Sequence, residues 1–370
     1  MKEAKLSFLP KLALVLFSII SLSYILILGK TLLAPLFFSL LMALLLLPFA
    51  TFLEQKLRFK RSLSTITAVV LMIAAIGGIL YFFGNQMTDL AKDWPLLEQK
   101  ANQSFHELQQ WVAKSFNLNA QKQLDYLKES AGKAVETSAT VVTATLATVS
   151  STLLFLAFTL LFTFFLLNYR SILYTFLTGV FKEEHKEKVT NILSQIQSII
   201  KKYIVGLFLQ MLIVSILMVT ILSILGVKYA VLLGLTAGIF NVIPYLGIFF
   251  ALLVSCLITF ATAGAAKALV VLIVFVGVHA VDGNILMPLV VGSKVKINAL
   301  IAFIGIVVGE MIWGISGMFL CIPYLAMAKI IFDQIDDLKP WGHLLGEGNK
   351  PLKKRKVYRI TKKISLEEKE

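Results

Sequence analysis

Apolar residues run in long blocks that are apolar on every helical face, and polar residues collect between the blocks. A helix that spans a bilayer needs about 20 mostly apolar residues. Residues 12–28, 31–53, 63–84, 149–168 and 203–225 each form such a block, the second with Pro35 and Pro48 inside it. From there the chain is almost continuously apolar to Phe332. Short interruptions cut it at 226–228, 244–247, 264–267, 282–298 and 314–317. A membrane β-barrel would need period-two alternation in strands of about ten residues, which these blocks lack. Lipid satisfies no open backbone group, so helices remain. The pattern predicts an all-α, polytopic membrane protein of about eight helical passes. Its last stretch, 300–332, folds as two segments hinged near Gly314 and Gly317.

Composition supports this and removes other classes. The chain has 370 residues, 58% hydrophobic and 15% charged, against about 45–50% and 25% in soluble domains. Disorder is excluded by the hydrophobicity. A disulfide scaffold is excluded by a cysteine count of two. The first block follows Lys2, Lys5 and Lys11 and resembles a signal peptide, but Ser21-Leu22-Ser23 is a poor cleavage site inside its apolar core. It is expected to stay as the first span.

The formal charge of +14 then becomes a topology signal. Lys and Arg concentrate in the N-terminal stub, in residues 56–61, in residues 170–202 and in the tail, where Lys350 to Lys363 holds eight basic residues and no acid. Residues 85–148 are close to neutral. The positive-inside rule places both termini in the cytoplasm, 85–148 outside and 169–202 inside. On this reading residues 1–84 hold three spans and 85–148 an external insert. Residues 149–332 form the transport region and 333–370 a basic cytoplasmic tail. Charge neutralisation is also a nucleic-acid signature, but on a polytopic chain the expected partner of the tail is anionic inner-leaflet lipid, with no nucleic acid.

The external insert carries apolar residues at Leu90, Trp94, Leu97, Ala101, Phe105, Leu108 and Val112, a helix stripe. Asp93 before Pro95 is its expected N-cap. After a turn at 117–119 a second helix runs into the fourth block, giving a projecting hairpin. The internal stripe Val189, Ile192, Ile196, Ile199, Tyr203 reads either as an interfacial helix or as the lead into the fifth span.

No catalytic, ATP-binding or metal motif is present, so neither an enzyme, a pump nor any cofactor is expected. Polar residues inside the C-terminal apolar blocks carry the chemistry instead, because buried ionisable groups in a bilayer are costly and default to function. Gln210, Asn241, Asp282, Asn284 and Glu310 are the expected lining of a substrate or ion path. Pro244, Gly247, Gly283, Pro288, Gly292, Gly314 and Gly317 are the expected helix breaks, since broken helices expose backbone groups to substrate in secondary transporters. Gly234 and Gly238 form a small-residue packing face. His279, one helical step before Asp282, reads as a satisfied buried histidine in preference to a proton relay.

Three of these segments resemble the autoinducer-2 exporter (AI-2E) family of permeases. They are the run from Gly234 through Asn241 and Pro244 to Gly247, the run from Asp282 through Pro288 to Gly292, and the run from Gly309 through Trp313 to Pro323. The likeness spans about residues 10–335. Two departures stand out: Asp282 where Glu is more usual, and Ala299 where a Pro is common. The resemblance implies a bacterial inner-membrane, non-ATP transporter and a homo-oligomer such as a pentamer. It also implies export of a small polar solute such as a signalling molecule, with or without ion coupling. A Na+(Li+)/H+ antiporter is the second reading and a membrane scaffold the third.

Overall fold

The computed structural model describes residues 8–100, 103, 138–243, 246–290 and 297–346. Regular structure among the described residues is helical throughout. In chain order it comprises α1 (Phe8–Leu28), α2 (Lys30–Gln55), α3 (Arg61–Lys92), α4 (Ser138–Asn168), α5 (Arg170–Gly179), α6 (Glu183–Ile224), α7 (Ala230–Phe240) and α8 (Leu246–Val281). A π-turn (Asp282–Leu286) leads into α9 (Met287–Val290), followed by α10 (Ala299–Trp313), α11 (Ile315–Gln334) and α12 (Lys339–Leu345). Among the described residues, six helical stretches are long and apolar enough to cross a membrane, with shorter apolar helices beside them. The molecule is an all-α, multi-pass membrane protein.

The chain bends but does not reverse between the first two blocks. Gly29 N–H donates to the Ile25 carbonyl and Leu33 N–H to the Gly29 carbonyl, so helical bonding continues through the junction. The distorted turn frees the Leu26 carbonyl, which accepts the indole N–H of Trp313 at 2.9 Å. Kinks of this kind are stabilised by whichever group takes the released carbonyl.

α8 contains a glycine, Gly264, at φ 82° and ψ 178°. A straight helix of its 36 residues would be about 54 Å long, yet Ile248 and His279 from its two ends line one cavity. α8 is therefore two antiparallel arms folded at Gly264. α10 and α11 form a second hairpin at Gly314 (φ 64°). Its arms meet at backbone contact: a Cβ on Gly317 would lie 1.9 Å from the Gly309 carbonyl oxygen. Trp313 and Tyr324 anchor this hairpin to α2, their rings 5.3 and 5.0 Å from that of Phe37.

α6 joins two cores. Its first half buries Ile200, Tyr203, Ile204 and Leu207 against α2, α3 and α11. Its second half buries Val214, Met218 and Leu222 against α7 and both arms of α8. The internal stripe at 189–203 thus begins a 42-residue helix that runs on as the fifth span. Arg170, which the sequence offers only as a topology charge, pairs with Glu54. An apolar cleft of about 660 Å³ separates α3 from the α6–α7 pair.

α3 extends past residue 84 to Lys92, and 94–100 is again helical. Asp93 does not cap that helix with its side chain. The carboxylate instead accepts from Lys228 Nζ at 2.7 Å and from the Tyr229 hydroxyl at 2.5 Å. These two donors hold its carboxyl below the ordinary aspartate range. Tyr229 itself has φ 64°. The expected helix stripe and turn across 101–102 and 104–137, Pro244, Gly292 and the basic residues Lys350 to Lys363 lie outside the described residues.

Candidate functional site

The site is assembled by small residues. α7 returns along α6 at a distance that only glycine allows. A Cβ on Gly234 would sit 2.5 Å from Val219 N, and one on Gly238 would sit 1.9 Å from Ser215 Oγ. This packing brings the C-terminal end of α7, where Asn241 stands, beside Gln210 of α6. The chain then turns sharply, with Gly247 pressed against the Phe240 carbonyl at 1.7 Å from an added Cβ. The second arm of α8 descends from Gly264 and delivers Asp282 to the same place.

Three buried polar side chains meet there. Gln210 Nε2 donates to both carboxylate oxygens of Asp282, at 2.8 and 2.9 Å. Asn241 Nδ2 donates to Asp282 Oδ2 at 3.0 Å. Asp282 is 4% exposed, Gln210 6% and Asn241 8%. No Lys or Arg among the described residues pairs with this carboxylate. Charge-assisted hydrogen bonds contribute roughly 1.5–3 kcal/mol each, which offsets part of the several kcal/mol that burying a carboxylate costs.

A cavity of about 20 Å³ opens against Asn241 and Asp282, walled mainly by apolar side chains including Val214, Phe275 and Val278. His279 also lines it and is exposed, not buried as the sequence suggests. The local backbone is a π-turn, a geometry frequent at functional sites. Gln210 lies eight residues beyond Lys202 and fourteen before Ile224, so about 12 Å and 21 Å along α6. The cluster therefore sits within the membrane-spanning part of α6.

The other expected path residues stand apart. Asn284 is exposed and donates to the Ala280 carbonyl at 2.8 Å. Glu310 is exposed on α10. Gly283 and Pro288 fall within the π-turn and α9, Gly283 with open space around it. Gly314 and Gly317 belong to the second hairpin. Asn298, the N-cap of α10, accepts from Leu300 N–H at 2.9 Å. No group of three or more His, Cys, Asp or Glu able to hold a metal ion occurs among the described residues.

Comparison with known proteins agrees with this architecture. The chain is 26% identical to the YrrI protein of Bacillus subtilis (strain 168) over 310 residues, covering 82% of this chain and 86% of that one. It is 36% identical to YueF of the same organism over 107 residues, 29% of each chain. It is 30% identical to the AI-2 transport protein TqsA of Escherichia coli (strain K12) over 129 residues, 35% of this chain and 38% of that one. The family model for AI-2E family transporters matches residues 12–337. The chain belongs to the AI-2E transporter family.

Proposed function

We propose that this membrane transporter moves a small polar solute outward across the bacterial inner membrane without ATP, using Asp282, Gln210 and Asn241 as the polar station of its path. The observation that carries this reading is a buried carboxylate held by two neutral amides and, among the described residues, by no basic side chain, at the junction of a glycine-tight helix pair and a folded helix. Such a carboxylate changes charge when a proton or cation arrives, and its hydrogen bonds to α6 and α7 then weaken. That gives the junction two arrangements, which an alternating-access cycle needs. Asn284 and Glu310 serve the path away from this centre. The basic C-terminal tail faces the cytoplasm and contacts anionic lipid, and the protein assembles as a homo-oligomer.

The likeness to TqsA makes AI-2 the first solute to test. Asp282→Asn is expected to abolish AI-2 efflux from loaded membrane vesicles at unchanged expression. Wild-type efflux in that variant removes Asp282 from the path. Comparing all metabolites in medium from deleted and overexpressing cells then identifies the solute independently of AI-2.

The size of the cavity favours a second reading. About 20 Å³ admits a water or a bare ion and not an organic solute, which suits a Na+(Li+)/H+ antiporter. Sodium addition to everted vesicles then collapses an imposed pH gradient in wild type and not in Asp282→Asn. The scaffold reading predicts instead that Asp282→Asn leaves the cellular phenotype intact.

A further inference from the structure

Gln210 and Asn241 cannot titrate, so a proton bound for Asp282 has to arrive through the small cavity. Its volume of about 20 Å³ exceeds the roughly 10–15 Å³ that one water requires. His279 lines the same cavity one helical turn from Asp282, and its outer side is exposed. Among the described residues nothing hydrogen-bonds its imidazole. An imidazole set against hydrocarbon would lose its water partners with no replacement, so this exposed face fits an aqueous opening. Histidine is also the side chain whose charge ordinarily changes between about pH 5 and 8. The groups facing it across the cavity include one other titratable residue, Asp282. α6 contributes Val214 and Met218, α7 Ala237 and Asn241, and the first arm of α8 Ile248 and Ala251.

We propose that His279 is a second proton-exchanging residue of this site, standing in water at the mouth of the cavity and passing protons to and from the Asp282 carboxylate. The proposal rests on the reading of Asp282 as the charge-changing residue of a transporter. In the inward step an imidazolium N–H breaks, the proton crosses directly or through one water, and an O–H forms on Asp282. The neutral imidazole then takes a proton from bulk water. The outward step is the reverse.

Two measurements test it. In the full chain with Cys256 and Cys321 replaced by Ser, a single cysteine is placed at His279 or, as a control, at Ile273 on the same arm, which is 61% exposed. Thiolates form in water, not in lipid, so a charged, membrane-impermeant thiosulfonate should label His279→Cys about tenfold faster than Ile273→Cys. Equal rates overturn the aqueous placement. The second measurement is the pH profile of AI-2 or sodium-driven flux in vesicles. His279→Gln is expected to flatten that profile and to lower flux even at its best pH, and Asp282→Asn to abolish flux. An unchanged profile in His279→Gln, with flux lost in Asp282→Asn, sinks the proton transfer alone. Full flux in Asp282→Asn sinks the transport role of Asp282 and the proton transfer with it, whereas the labelling result stands on its own.

Discussion

The chain folds back at three glycines of positive φ, Gly226, Gly264 and Gly314, and the hairpins at the last two treat their carboxylates in opposite ways. The hairpin folded at Gly264 ends in a π-turn and buries Asp282 against amides from two other helices. The hairpin folded at Gly314 presses its arms together at Gly309 and Gly317 and leaves Glu310 exposed. The difference follows from which face each arm packs. In α10 the packed face carries Gly305, Ile306, Gly309 and Trp313, and Glu310 sits about a quarter-turn away from its centre. In the second arm of α8 the packed face carries Val271, Phe275 and Val278, and Asp282 continues that same face. On the transport reading, the tight hairpin would serve as a wall, and the one that ends in a loosened turn over a buried carboxylate would be the one that switches.

The largest effect that would break this comparison is at Gly317. A Leu there drives its Cβ into backbone, beyond the roughly 1–3 kcal/mol of ordinary overpacking, so Gly317→Leu should lower the detergent melting midpoint by about 10 °C. A midpoint within two or three degrees of wild type, about 1 kcal/mol, would mean the arms are not in backbone contact. Next comes Gln210→Leu, which leaves a buried carboxylate short of donors and should destabilise by about 1–3 kcal/mol. Adding Asp282→Leu should recover much of that loss, since removing both partners costs less than removing one. Additive losses in chemical denaturation would place the two side chains apart.

A smaller effect concerns the loop that meets the tip of the first hairpin. Lys267 Nζ donates to the Gly226 carbonyl at 3.0 Å, and the neighbouring Lys228 and Tyr229 hold Asp93. Because those donors depress the Asp93 carboxyl, the contact is complete above its ordinary value and is lost as pH falls through the depressed one. Asp93→Asn should raise amide exchange at 226–232 at pH 7. Wild type should reach the same exchange only below the ordinary carboxylate range. The smallest effect is Glu310→Gln, expected to change stability by no more than about 0.5 kcal/mol. A larger loss would mean that α10 buries this carboxylate in the working assembly.

Much of this architecture is legible in the apolar blocks, because lipid leaves so few options for the backbone. The breaks at Gly264 and Gly314 are legible for the same reason, as points where an apolar helix loses its side chains. Gln210, Asn241 and Asp282 stand out as polar residues in such blocks. Their meeting does not, since it depends on how closely α7 lies on α6. Gly234 and Gly238 hold that information, but sequence spacing names a packing face and not the helix that fills it. The exposure of Glu310 is not legible in the same way, because which face of α10 the glycines Gly305 and Gly309 turn toward the other arm depends on the hairpin. His279 misleads: an isolated histidine in an apolar run suggests burial, and the cavity wall leaves it open. The bend at Gly29 is invisible because the two blocks it joins each have the length of a span. Tyr229 gives no signal, since nothing in a lone tyrosine announces a left-handed turn.

The 42 residues of α6 form a single rod about 63 Å long. It touches one core at Tyr203 and holds the carboxylate partner at Gln210, seven residues later. A rod tilts far more readily than it stretches. Swinging one of this length by about 5° around its middle carries each end roughly 3 Å while points near the middle barely move. Gln210 therefore lies close to such a fulcrum, and on the transport reading proposed above a change of charge at Asp282 would act there with little motion while the two ends of the helix supplied the leverage on either side of the membrane.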